Sequence, residues 1–217
     1  MKREQDLKIL ETAAAIDKDF KISGASTHKY RLNDPVAVDF VRYAEAKYGF
    51  TLPEDYFRFI TEIGDGGACE NYGLYSFREY IMKNGSGYEK KRYNLGLPFG
   101  AKLLSESRYA NDFPFNEDAV KNHPEEYFVY ERIADAYYND DDDCMEADGF
   151  LDLGTRGCQF EFGLAVTGKH KGRVFDTDNV GYYILIADSF EEFYSSWLNK
   201  ISDADWLKRQ IEFWTRS

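Results

Sequence analysis

Residues 150–187 read FLDLGTRGCQFEFGLAVTGKHKGRVFDTDNVGYYILIA. Four short runs stand out: 150–153, 159–166, 173–176 and 182–187. Each is rich in Phe, Tyr, Leu, Ile or Val, and glycine-bearing turns separate them. Short apolar runs at this even spacing predict an antiparallel meander. Just beyond it, Ser189 with Glu192 three residues on is a capping box. The helix it opens would bury Phe190, Phe193, Trp197 and Ile201, which recur at helical spacing. Asp203 then caps a last helix carrying Trp206, Ile211 and Trp214.

On the N-terminal side the period is helical. Leu7, Leu10 and Ala14 share a face across residues 3–20, and the polar stretch KISGASTHKYRLN (21–33) reads as a linker. Asp34 and Pro35 suit an N-cap and a first helical position, with Gly49 as the stop. Pro53 suits a second start, and Tyr56, Phe59, Ile60 and Ile63 give a buried face. Residues 64–67, Gly-Asp-Gly-Gly, force a loop, because glycines admit positive φ. Residues 72–77 are expected as a strand, 83–96 as an exposed loop, and 124–138 as a helix with Tyr127, Tyr130, Ala134 and Tyr137 at helical spacing. Helices, then strands, then helices indicate an α+β fold: an antiparallel or mixed sheet with helices packed on one side.

The chain has 217 residues, 43% hydrophobic and 17% aromatic, enough for a sizeable core. Its longest apolar stretch, 182–187, is far short of the ~20 residues that span a bilayer. Acids stand where a secretory leader would have its apolar run. Cys69, Cys144 and Cys158 are odd in number and widely spaced, which fits a reducing cytoplasm rather than a disulfide framework. The net charge of −12 disfavours nucleic acid or an anionic membrane as partner. That charge is concentrated: residues 106–148 hold fourteen carboxylates against three cations, leaving −11 there.

Motifs for chemistry are sparse. The 64–67 turn lacks the third glycine and the preceding strand of a dinucleotide site. Residues 140–148 fail the calcium-loop pattern, since Cys144 or Met145 falls where an oxygen ligand is required. Cys158 is expected as a small core residue and His170 as an exposed turn tip. A carboxylate pair for hydrolysis could be drawn from so many acids, but abundance gives it no weight. No cofactor or metal is expected. The acidic segment has a sharper reading, because aromatics alternate with its acids as on a hot spot with a charged rim.

Residues 49–67, GFTLPEDYFRFITEIGDGG, resemble the signature of the SUKH superfamily, also called the Smi1/Knr4 family: Leu-Pro, an acid, an aromatic, an apolar pair and a Gly-Gly turn. Residues 172–178, GRVFDTD, and 187–193, ADSFEEF, with the closing helix and Trp197, resemble it further. The resemblance frames about residues 35–201. It divides the chain into an N-terminal helix and linker (1–33) and a SUKH-like domain (34–217), with a variable acidic insertion around 78–148. It implies a non-enzymatic α+β protein, in many bacterial members an immunity protein that neutralises a polymorphic toxin, often a nuclease. The expectation is then a cytoplasmic binder of a toxin with a basic surface. The expected contacts are Glu125, Glu126, Tyr137, Tyr138, Asp140, Asp141, Asp142, Asp143, Glu146 and Asp148. A regulatory scaffold of the same family is the alternative, and a hydrolase the third reading.

Overall fold

A computed structural model describes residues 2–110, 117–139, 147–158, 160–178 and 180–216. At its centre is a six-stranded sheet, antiparallel throughout, in the order β1-β2-β6-β5-β4-β3. The expected meander forms it: β3 (Phe150–Gly157), β4 (Phe160–Ala165), β5 (Val174–Thr177) and β6 (Tyr182–Ala187). Two short strands from earlier in the chain, β1 (Lys102–Leu103) and β2 (Tyr127–Val129), extend it past β6. The chain is therefore α+β with an antiparallel sheet.

Strand alternation divides the core. Leu151, Leu153, Phe162 and Leu164 join the main cluster with the helices, while Phe150, Ala165, Phe175 and Tyr183 join a second cluster on the other face. That second face is covered by Phe99, Ala101, Phe128, Tyr130 and Ile133. Apolar packing therefore lies on both sides of the sheet, not on the helical side alone.

The helical layer follows the expected faces. α1 (Arg3–Ile16) packs against α9 (Phe190–Ser202) and α10 (Ala204–Arg216). The 21–33 stretch is not a loose tether. Buried Asp17 accepts from the Lys21 N–H at 2.8 Å and the Tyr30 hydroxyl at 3.0 Å, around the short α2 (Ala25–His28). Ala25 and Tyr30 belong to the main core. α3 (Val38–Tyr48) starts later than Asp34 and Pro35 suggest, with Ala37 as its N-cap. The reason is a tertiary bond: the Val36 N–H donates to the Ile60 carbonyl at 2.8 Å, which holds 35–36 extended.

α4 (Glu54–Arg58), with Pro53 as N-cap, runs into a π-helical turn, Phe59–Ile63. The turn is closed by the Gly64 N–H bonding the Phe59 carbonyl at 2.9 Å. Tyr56, Phe59, Ile60 and Ile63 are all buried as expected. Phe59 lies 4.9 Å from the Phe190 ring and 4.7 Å from that of Tyr194. The glycine turn is a close crossing of chains. Gly66 has φ +83°, and a Cβ there would sit 2.6 Å from the Tyr75 carbonyl oxygen. Between the glycines, buried Asp65 accepts from the Phe77 N–H at 2.7 Å and the Ser76 hydroxyl at 2.8 Å. It thereby anchors the start of α5 (Phe77–Met82).

Two expectations nearby are corrected. Residues 72–77 form only an isolated bridge, Leu74 with Gly67, and a bond from the Tyr75 N–H to the Leu153 carbonyl at 2.7 Å. Residues 83–96 contain a helix, α6 (Ser86–Asn94). Its anchor is polar: buried Arg92 donates to the Tyr80 and Lys83 carbonyls at 3.1 and 2.7 Å, capping the end of α5.

Candidate functional site

The acidic half is built by a chain reversal the sequence disguised. Where one helix over 124–138 is expected, Pro124–Glu126 is a 3-10 turn, Tyr127–Val129 is β2, and only Glu131–Tyr138 is helical, as α8. All three residues of β2 are buried, so the strand shows no alternation to betray it. α7 (Glu117–Asn122) precedes this unit.

α8 seats Ile133, Ala134 and Ala136 inward. Its carboxylates are committed to bracing the fold. Glu131 accepts from the Ser107 hydroxyl at 2.7 Å and pairs with Lys102 at 2.9 Å. These bonds, the one from Lys102 foremost, pull its pKa down to about 2. Asp135 accepts from the Arg108 guanidinium and from the Tyr109 hydroxyl, and the latter bond raises the Tyr109 pKa.

An aromatic ladder runs outward from this brace through Tyr109. Tyr109 stacks on Tyr138 at 5.7 Å, and Tyr137 meets Tyr138 edge-on at 5.4 Å. Tyr137 and Tyr138 are 47% and 53% exposed. Large rings held in fixed geometry at the surface lose little entropy on being covered, which suits them as anchors.

The expected contact residues thus divide. Tyr137 and Tyr138 end α8 on the surface. Glu125 is exposed and Glu126 half-buried on the turn before β2, and β2 and most of α8 intervene in the chain between the two pairs. Asp148 is different: it accepts from the Tyr130 hydroxyl at 2.7 Å and the Arg132 guanidinium at 3.0 Å, and so ties α8 to the start of β3. Asp140, Asp141, Asp142, Asp143 and Glu146 lie outside the described residues. His123, Glu125 and Glu126 bring three potential ligand atoms within 4.8 Å of one another. Water competes at all three, since none is buried.

Two single residues correct their expected settings. Cys158 is exposed on the β3–β4 turn, with φ +54°. His170 is buried: its Nε2 lies 3.1 Å from the Ala101 carbonyl and its ring 4.9 Å from that of Phe128, and this burial lowers its pKa.

A second concavity was not signalled by the sequence. Residues 27–33, the 67–76 loop, α5, α6, the edge strand β3 and its neighbour β4 border an open cleft of about 870 Å3. Tyr72, Tyr75, Tyr80 and Tyr88 line it. The Tyr75 hydroxyl is raised in pKa, first by burial and then by the nearby Glu161 and Asp152 carboxylates. The cleft is hidden in the sequence because one wall is α6, whose polar anchor leaves no apolar stripe. Recurrent tyrosines between 72 and 88 were the available signal.

Compared with protein-family models, with curated proteins and with solved structures, the chain has no match. The SUKH resemblance therefore rests on the motif residues alone. Within that motif, Leu52, Tyr56, Phe59, Ile60 and Ile63 are core residues and Asp65 anchors a helix. Each has a structural task here.

Proposed function

We propose that this protein is a binding module that acts by covering a basic surface of a protein partner, in the manner of a cytoplasmic immunity protein that neutralises a toxin. The observation that carries the reading is the surface pair Tyr137 and Tyr138, with half-buried Tyr109 stacked on Tyr138, in the segment that holds nearly all the net charge. Rings give short-range contact area, and carboxylates steer a cationic partner from a distance. A nuclease presents cations around its substrate groove because it must attract phosphate, so an acidic face is complementary to it.

The test uses the product of the neighbouring gene as the candidate partner, co-expressed for growth protection and purified for stopped-flow binding. Wild-type protein should protect and associate rapidly at low salt. Changing Asp140 to Asp143 together to Asn should slow association by about tenfold or more at low salt and less at high salt. Tyr137→Ala and Tyr138→Ala should act mainly on dissociation. Unchanged association and dissociation in all these variants would remove the acidic face from the interface. A partner that binds without being toxic would favour a regulatory scaffold instead.

A further inference from the structure

The acidic face leaves the tyrosine cleft without a task. Its volume of about 870 Å3 falls within the range of small-ligand sites, about 300–1,000 Å3. Three features of its walls define what it can take.

The first is ring surface. Tyr72 and Tyr75 are 42% and 43% exposed although they line a concave wall. The Lys83 ammonium lies 4.3 Å from the centre of the Tyr88 ring and covers one of its faces. The second is charge balance. Glu79, Asp152 and Glu161 share the lining with Arg31, Lys83 and Lys91, with Lys91 Nζ 3.7 Å from Asp152. A phosphate-bearing ligand would meet three carboxylates and a cationic one three cations, so net charge gains nothing here. The third is the source of the hydrogen bonds. The Leu74 and Tyr75 N–H groups are already bonded, to Gly67 at 2.7 Å and Leu153 at 2.7 Å. This loop therefore offers an extended peptide no strand-like pairing through those amides, and recognition falls to side chains that both donate and accept.

We propose that the cleft binds a neutral oligosaccharide. A sugar ring has a C–H face that packs on tyrosine and a rim of hydroxyls that donate to carboxylates and accept from lysine and arginine. It carries no net charge, so it meets both sets of charged side chains without repulsion. Tyr75 would supply a stacking face, with Asp152 and Glu161 beneath it accepting from ring hydroxyls. The inference is independent of the protein-binding reading, since no residue is shared between the two surfaces.

The experiment is calorimetric titration of the full chain with maltohexaose, cellohexaose, mannohexaose and N-acetylated chitohexaose, together with near-ultraviolet tyrosine difference spectra. At least one of the four should give saturable binding at millimolar concentration or below, with a tyrosine perturbation. Tyr75→Ala and Tyr88→Ala should each weaken it about tenfold, and Asp152→Asn by a similar factor. Tyr75→Phe keeps the ring and should weaken it less than Tyr75→Ala does. Tyr137→Ala, outside the cleft, should leave it unchanged. Melting curves identify any variant that has lost its fold, and Tyr75→Phe, which keeps ring and packing, then decides the test. Absence of binding to all four sugars would overturn the proposal. So would binding that the cleft variants leave untouched, or displacement of the sugar by a capped neutral peptide that binds more tightly.

Discussion

The two halves of the molecule are held together by different means. Around α4 and α9 the contacts are mainly apolar: Phe59, Phe190 and Tyr194 form a ring cluster. Around α8 the apolar contribution is smaller, and a set of carboxylates does the fastening: Glu131 to Lys102 and Ser107, Asp135 to Arg108 and Tyr109, Asp148 to Tyr130 and Arg132. An apolar ring cluster carries no ion pair for salt to screen or acid to break, whereas a carboxylate brace is sensitive to both. The lesson is that a concentration of acid in sequence is not all surface. Part of it is structural fastening, and only the remainder is available to a partner.

The sharpest test of the apolar half is Phe59→Ala. The side chain is fully buried, so denaturant melts should show a loss of about 3–5 kcal/mol. A loss below about 1 kcal/mol would mean the core there is not close-packed and would blur the contrast. Next in size is an acid effect that belongs to the helical half. His28 sits edge-on to Tyr30 and Trp197, at 5.4 and 6.2 Å, and burial lowers its pKa from 6.5 to about 4. The folded state then binds fewer protons than the unfolded chain, so this contribution is full above pH 6.5 and is lost as pH falls toward 4. The loss is up to about 3 kcal/mol. Comparing wild type with His28→Gln across that window isolates it, and identical slopes in the two would assign the acid loss elsewhere.

The brace is expected to yield less per bond. Glu131→Gln keeps shape and removes charge, and should cost about 1 kcal/mol because the group is partly solvated. Its folded pKa is depressed, so its contribution is present above about pH 4.5 and is lost as pH falls toward 2. High salt should reduce the difference between Glu131→Gln and wild type. A cost that salt does not touch would make Glu131 a packing residue. Smallest of all, Tyr137→Ala should change stability by less than about 0.5 kcal/mol, since its ring is half exposed. A larger loss would move the tyrosine ladder from the surface into the brace.

The same contrast explains what the sequence made legible. The meander over 150–187 and the face of Phe59 are written in apolar periodicity, and Ser189 caps α9 as its spacing requires, accepting from the Glu192 N–H at 3.1 Å. Asp203 likewise caps α10 through the Asp205 and Trp206 N–H groups at 2.9 and 3.1 Å. α6 was illegible because an arginine on two carbonyls fastens it. β2 was illegible because Tyr127, Tyr130, Ala134 and Tyr137 happen to recur at helical spacing across a strand and a helix. His170 was misread because its local context, flanked by lysines between glycines, describes a turn tip, while the distant Ala101 carbonyl and Phe128 ring determine its burial. At the candidate site, the exposed tyrosines were legible from composition. The internal use of Asp148 was not, because it depends on Tyr130 and Arg132 sixteen to eighteen residues away in the chain.

The borders of the sheet have a consequence of their own. One border is β1, two residues long, and the other, β3, is met at Leu153 by the Tyr75 N–H. Among the described residues, the first offers only two residues of edge backbone and the second, eight residues long, is interrupted at Leu153, which shortens the row on which another chain could template itself. Even at high concentration, growth of the sheet from copy to copy has little to start from, which protects the folded chain against ordered aggregation.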